Sequence, residues 1–261
     1  MTPLDDAPAA RPSRLSKSGA LKVEGLSKRF GGLQVFEGVT FTLAPGEILG
    51  VIGPNGAGKT TLINVICGRL PASGGRVFLG GADVTGFPFH RLSRMGVVRS
   101  FQQPNLFRSA TVRENLSRAI CFSGGTASRW ETLEDLLRGL ELAPRLEEQS
   151  DNLPYGLQRM LGLLLAFAAR PTVLLLDEPA AGLERRERTR VDDFVHYVQT
   201  TQGCGVLIVE HDMDLIRRLC PRIIVLDAGK VLAEGSPETV LARRDVIDAY
   251  VGASEEETDQ C

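Results

Sequence analysis

The sequence predicts an α/β protein: a mixed sheet with an antiparallel β layer and an inserted helical subdomain. Three patterns carry this expectation. Ile48–Ile52, Val173–Leu176, Val206–Val209 and Ile223–Leu226 are short apolar runs, as expected of parallel strands covered on both faces. Leu21–Leu26 and Val39–Leu43 alternate apolar and polar residues, which marks half-buried strands. From Phe87 to about Leu165 the apolar residues fall three and four apart instead, which is helical spacing.

Residues 1–19 are rich in Pro, Ala, Ser and Arg with few apolar anchors and are expected to form a disordered leader. Residues 20–252 read as one domain, with about 87–165 as its helical subdomain and 253–261 as a loose tail. Early in the domain, Lys28-Arg29-Phe30-Gly31-Gly32 places an aromatic beside a turn, and Val77–Gly81 is a strand-like piece ending in another. After Ile48–Ile52 comes a glycine-rich loop. Leu62, Ile63, Val65 and Ile66 then follow at helical spacing up to Gly68, a C-terminal stop. Further helices are expected at Val112–Ile120 and Glu131–Leu142, on either side of Ser123-Gly124-Gly125. A very apolar helix follows Leu153–Arg159 and ends at Arg170-Pro171. A charged helix begins near Glu184, with Glu184-Arg185-Arg186-Glu187-Arg188 as its solvated face.

Composition narrows the class. Hydrophobic residues at 43% and charged residues at 24% suit a soluble globular chain. A net charge of -2 lacks the basic excess of a protein that grips nucleic acid. No apolar run approaches the ~20 residues needed to span a bilayer, and the N-terminus has no apolar signal core. Cys67, Cys121, Cys204, Cys220 and Cys261 show no paired or metal-like spacing. They are expected to be reduced and mostly buried, which points to the cytoplasm.

The chemistry centres on the loop Gly53-Pro54-Asn55-Gly56-Ala57-Gly58-Lys59-Thr60-Thr61. Between a strand and a helix, this pattern cradles phosphates. Its glycines let successive N–H groups point inward, and the new helix adds its positive end. Lys59 suits the β- and γ-phosphates as a compact cation, and the Thr60 hydroxyl suits Mg²⁺. Asp177 and Glu178 sit at the C-terminal end of a buried strand, where open α/β sheets bind ligands. Asp177 can hold Mg²⁺ through a water, and Glu178 can polarise the attacking water. His211 follows a second buried strand and can reach the γ-phosphate, whereas His90 and His196 read as structural. Gln102, between the β-rich and helical parts, offers a further Mg²⁺ ligand.

Together these elements resemble the ATP-binding subunit of an ABC transporter, over essentially all of residues 21–252 and in family order. The resemblance implies a P-loop NTPase core of the ABC-ATPase type. It implies that Phe30 stacks on adenine, Gly53–Thr61 form the Walker A loop and Gln102 is the Q-loop glutamine. Leu153, Pro154, Tyr155, Gly156 and Leu157 stand at the family's L-S-G-G-Q signature, which faces the ATP of a partner chain. Asp177-Glu178 match Walker B with its catalytic glutamate, Ala180–Glu184 the D-loop, and His211 the switch histidine. The branched-chain amino-acid importer ATPases are most similar, through Arg99-Ser100-Phe101-Gln102, Asp177–Leu183 and Val246–Gly252.

By that likeness, two ATPase subunits sandwich two ATP molecules with Mg²⁺ and drive integral membrane permease subunits from the inner face of the cell membrane. Branched-chain or other amino acids are the expected solute, and nucleic acid is no partner. Pro154 and Tyr155 replace the signature serine and first glycine, Leu157 replaces its glutamine, and Glu184 replaces the D-loop aspartate. Pro154 therefore leads to the expectation that the second ATPase subunit is a different chain. Two other readings stay open: an ATP-binding regulatory or scaffold subunit with little hydrolysis, and a non-transport ABC ATPase. The latter group carries coiled-coil insertions or tandem cassettes, which this sequence lacks.

Overall fold

The computed structural model describes residues 19–100, 105–123 and 129–250. The alternating N-terminal segments pair as an antiparallel hairpin, β1 (Leu21–Phe30) with β2 (Leu33–Leu43). Both strands run longer than their alternation suggests, because register shifts between Val23 and Leu26 and again near Lys28 interrupt it. After β3 (Ile48–Ile52), β4 (Gly74–Leu79) and β5 (Ala82–Asp83) complete an antiparallel sheet of order β2-β1-β4-β5.

A second sheet is built from β3 with β6 (Val97–Arg99), β7 (Val173–Asp177), β8 (Gly205–Val209), β9 (Arg222–Asp227) and β10 (Lys230–Gly235). Its order is β10-β9-β3-β8-β7-β6, parallel throughout except for the β9–β10 pair. The apolar runs are unbroken because each strand is packed on both faces. Leu49, Val51, Leu175, Leu207, Val209 and Ile224 face the antiparallel sheet and α1 (Lys59–Ile66). Their neighbours Ile48, Leu174, Leu176, Val206, Ile208 and Ile223 face the remaining helices.

Those helices are α3 (Val112–Phe122), α4 (Arg129–Gly139), α5 (Tyr155–Ala168), α6 (Arg185–Gln202) and α7 (Met213–Leu219). α2 (Phe89–Arg94) leads into β6, and α8 (Pro237–Leu241) follows β10. Local chemistry sets several ends. Thr111 and Glu114 form a reciprocal capping box on α3, and Asp212 caps α7 through the N–H groups of Asp214 and Leu215. Gly203, with φ 59, stops α6 in the left-handed region. Phe167 of α5 meets Phe194 and Tyr197 of α6 edge-on, at centroid distances of 6.1 and 5.9 Å. Such pairs add about 0.5–1.5 kcal/mol each beyond their burial.

One sequence expectation needs correcting. The stretch from Phe87 to about Leu165 is not helical throughout, since β6 lies inside it and closes the edge of the parallel sheet on β7. Val97-Val98-Arg99 is too short to show a period of its own. Among the described residues no helix is long and apolar enough to cross a membrane.

Cys67, Cys204 and Cys220 are free and buried, while Cys121 is exposed on α3. Burial pushes the Cys204 and Cys220 thiols up to about 12. The thiolate is the reactive form, so iodoacetamide at neutral pH is expected to modify Cys121 and spare these two until the chain is denatured. Peptide mapping checks this. Alkylation of Cys204 in the native protein would contradict the packing described here.

Candidate active site at the carboxyl edge of the parallel sheet

Adjacent strands β3, β8 and β7 run parallel and deliver their C-terminal ends to one edge. The ends are stitched together by backbone bonds: Glu178 N–H donates to the Val209 carbonyl at 2.8 Å, and Glu210 N–H to that of Val51 at 3.4 Å. Chemistry-bearing residues far apart in sequence therefore meet because parallel pairing puts like ends together.

β3 leads into the glycine loop. Gly53 has φ 149, and a Cβ there would fall 2.0 Å from the Leu226 carbonyl oxygen, so no side chain fits. Gly58, with φ 95, precedes α1 as its cap without a side-chain hydrogen bond. The first N–H groups of α1 thus have no helical acceptor and face the loop's interior with the helix dipole behind them. Lys59 is buried, and its Nζ donates to the carbonyls of Gly53 and Pro54 at 2.7 and 2.9 Å. Burial pulls its pKa down, and the charges of Glu178 and Asp177 oppose that pull. Pro54, Asn55, Gly56, Ala57 and Thr61 complete the loop and the first turn, with Asn55 and Gly56 exposed.

β7 ends in Asp177, which is fully buried. Its Oδ1 accepts from the Thr60 hydroxyl at 3.3 Å, and its Oδ2 meets Arg99 Nη2 at 2.7 Å. Arg99 also donates to the Asn64 side chain on α1. Burial raises the Asp177 pKa and the Arg99 guanidinium counters it. Glu178 follows with φ 48 and a partly open side chain. His211, after β8, lies with Nδ1 at 3.6 Å from Glu178 Oε1 and is half exposed. That separation is beyond a direct hydrogen bond, but it lets both groups address one small molecule between them. The buried Glu210 accepts from the N–H groups of Ala180 and His211 at 2.9 and 3.2 Å, fixing the two following loops to each other. His90 and His196 are exposed on helices away from this edge.

Leu153–Leu157 opens α5. Leu153 and Leu157 are buried in the core, so their side chains cannot reach a ligand. Pro154 is the helix cap, makes no side-chain cap bond and gives its carbonyl to Gln158 N–H at 3.0 Å. What the segment offers outward is the exposed pair Pro154 and Tyr155. A Cβ on Gly156 would fall 1.7 Å from Glu187 Oε1 on α6, so a larger residue there would have to displace that carboxylate. Phe30, at the end of β1, is half exposed, with Lys28 Nζ 4.6 Å from its ring centroid. Gln102 lies outside the described residues.

The glycine loop and the acid pair both fall within residues 36–181, the span matched by the family model for ABC transporters. The chain belongs to the ABC transporter family. It is similar to the high-affinity branched-chain amino acid transport ATP-binding protein LivG of Escherichia coli. Identity there is 40% over 248 residues, covering 89% of this chain and 97% of LivG. The corresponding protein BraF of Pseudomonas aeruginosa is 35% identical over 248 residues, with the same coverage. Among solved structures, an ATP-binding cassette of an ABC transporter in its ADP conformation superposes with a TM-score of 0.80. That match has 28% sequence identity and covers 90% of this chain and 99% of that one.

This ABC chain is thus an ATPase subunit of a transporter, with its nucleotide-binding fold in place. Three further residues at this edge were given no role from the sequence. Arg99, Arg159 and Glu210 are buried charges, and each is paired with a group remote in sequence or with backbone. Nothing in their local pattern announces that. Sequence reasoning also read Glu184–Arg188 as merely solvated. In the structure Glu187 packs on Gly156, and Arg188 Nη1 pairs with Asp212 at 2.6 Å.

Proposed function

We propose that this chain is the ATP-hydrolysing engine of an amino-acid importer. The observation that carries the chemistry is the convergence of Lys59, Asp177, Glu178 and His211 at the ends of three neighbouring strands. Residues Gly53–Thr61 wrap the phosphates, with Lys59 exchanging its two loop carbonyls for β- and γ-phosphate oxygens. Phe30 stacks on adenine. Glu178 takes the proton of the attacking water, and His211 orients that water against the γ-phosphate. ATP is the substrate here, and Mg²⁺ is the ion the donor set suits.

Thr60 Oγ1 and Asp177 Oδ1 are hard oxygen donors already side by side. Hard oxygen donors of this kind suit Mg²⁺, which would take its remaining ligands from outside the pair. Among the described residues no cluster of three or more His, Cys, Asp and Glu offers a rival all-protein metal cage. When bound, Mg²⁺ neutralises phosphate charge. Thr60 and Asp177 would hold it, with Gln102 as a further ligand.

The solute follows from the relatives, whose names assign them to branched-chain amino acid transport. We assign this chain to the inner face of the cell membrane, attached through permease subunits. It pairs with a second, different ATPase chain whose ATP faces Leu153–Leu157. A scaffold role with little hydrolysis draws on Pro154, but Lys59, Glu178 and His211 are all in place for turnover. Co-purification of the tagged chain from its own membranes tests the assignment. The account expects a multi-span permease and a second ATP-binding chain. Recovery of the chain with neither would refute it.

Pro154 offers no hydroxyl and no N–H where the family pattern has serine. A lost charge-assisted hydrogen bond costs about 1.5–3 kcal/mol, partly offset by the open first turn of α5. Pro154→Ser in the assembled transporter is therefore expected to leave ATPase and transport rates unchanged or faster. A large loss of both would mean that Pro154 itself shapes a working clasp.

A further inference from the structure

Helix α5, which opens with Leu153–Leu157 nearby, also reaches the catalytic edge of the sheet. Arg159 lies one turn beyond Tyr155 and is only 5% exposed. Its Nη2 donates to the backbone carbonyl of Glu178 at 2.5 Å, and Ala181 N–H donates to the same carbonyl at 3.2 Å. From the other side, the Glu178 N–H is held by Val209 at 2.8 Å. The peptide groups on both sides of the Glu178 Cα are therefore pinned, at a residue whose φ of 48 is unusual for anything but glycine. A residue is kept in such a region only when its surroundings hold it there. Arg159 is charged, lies close to Glu178, Glu210 and Asp177, and links this stretch of backbone to α5.

Two more contacts make the first turn of α5 and the segment after Glu178 a single packed unit. The Tyr155 ring covers Gly182, with Cε1 3.3 Å from where a Cβ on that glycine would lie. Gly156 is pressed against the Glu187 carboxylate. Further along, Phe167 locks α5 onto α6 through Phe194 and Tyr197.

We propose that Arg159 is a positioning residue that holds the Glu178 peptide in its left-handed turn, so that the aim of the Glu178 carboxylate depends on the seating of α5. This rests on the reading of Glu178 as the general base. Because the start of α5 faces the second nucleotide in that reading, Arg159 ties the chain's own catalytic carboxylate to the site it completes for its partner.

The test uses the assembled complex carrying Arg159→Met, Arg159→Gln or Arg159→Lys, with Glu178→Gln as reference. Steady-state kcat and KM are measured, together with equilibrium affinity for a fluorescent ATP analogue. A misplacement of about 1 Å costs roughly a hundredfold in rate. Arg159→Met is therefore expected to lower kcat by about ten- to a hundredfold, with affinity within about twofold of wild type. Arg159→Lys, which keeps a cationic donor, should recover part of that loss. If Arg159→Met does not fold, Arg159→Gln, a neutral donor of shorter reach, replaces it against Arg159→Lys. Unchanged kcat in the folded variants, while Glu178→Gln is inactive, overturns this inference alone. A loss of affinity in step with kcat also overturns it, since a merely structural role would produce that. Wild-type turnover in Glu178→Gln overturns the general-base reading, and this inference with it.

Discussion

Lys59→Ala and Glu178→Gln are expected to fail in different ways. Lys59 Nζ sits inside the loop against the Gly53 and Pro54 carbonyls, within the field of Asp177 and Glu178. Its removal takes the lysine cation from the loop proposed to cradle the phosphates. Hydrogen bonds to charged groups are worth about 1.5–3 kcal/mol each, so ATP affinity should fall at least about tenfold. Glu178 is different, because its carboxylate lies beyond the cradle and beside His211. Glutamine keeps its size and polarity but takes no proton. Affinity should hold, while turnover falls by about 10²–10⁴. Equilibrium binding of a fluorescent ATP analogue and steady-state phosphate release separate the two. An equal loss of affinity in both variants would contradict this division of labour.

The second large effect is on stability. Arg99 and Asp177 form an ion pair at 2.7 Å whose side chains are 6% and 0% exposed. Such a pair contributes little compared with well-packed apolar residues, but breaking it by removing one partner costs about 3–5 kcal/mol. Arg99→Met leaves Asp177 buried with no guanidinium to counter the burial that already raises its pKa. A domain of this size loses roughly 2–4 °C in melting temperature per kcal/mol. Arg99→Met should therefore melt well below the wild type in differential scanning calorimetry. A shift within experimental error would mean that Asp177 is not held by this pair. The same substitution also unties β6 from α1, since Arg99 donates to Asn64.

Much of the frame was legible because it rests on local pattern. Val173–Leu176 and Val206–Val209 read as two-sided strands because both faces are packed, and the structure places them side by side in parallel. The glycine loop was legible for a different reason: its geometry excludes side chains, as at Gly53, and the excluded residue types leave a mark in the sequence. β6 was missed because a three-residue edge strand shows no period. β10 went unnoticed because its buried and half-open residues do not alternate cleanly along the strand.

The site was legible only in part. Asp177, Glu178 and His211 stand directly at strand ends, so the chain itself announces them. Arg99, Arg159 and Glu210 act across the fold. Arg99 reaches 78 residues along the chain to Asp177, Arg159 reaches 19 to Glu178, and Glu210 reaches back 30 to Ala180. Long-range pairing of buried charge leaves no periodic trace. The reading of Leu153–Leu157 shows the same limit: its resemblance to the family signature said what had been replaced, while the packing of Gly156 on Glu187 and of Tyr155 on Gly182 came only from the structure.

The most direct test of the account is ATP hydrolysis by the co-purified complex in proteoliposomes, wild type against Glu178→Gln, with uptake of labelled leucine followed in the same vesicles. Hydrolysis and uptake that fall together in Glu178→Gln, with ATP still bound, are what the site at the ends of β3, β7 and β8 predicts. Phosphate release at the wild-type rate from Glu178→Gln would contradict it.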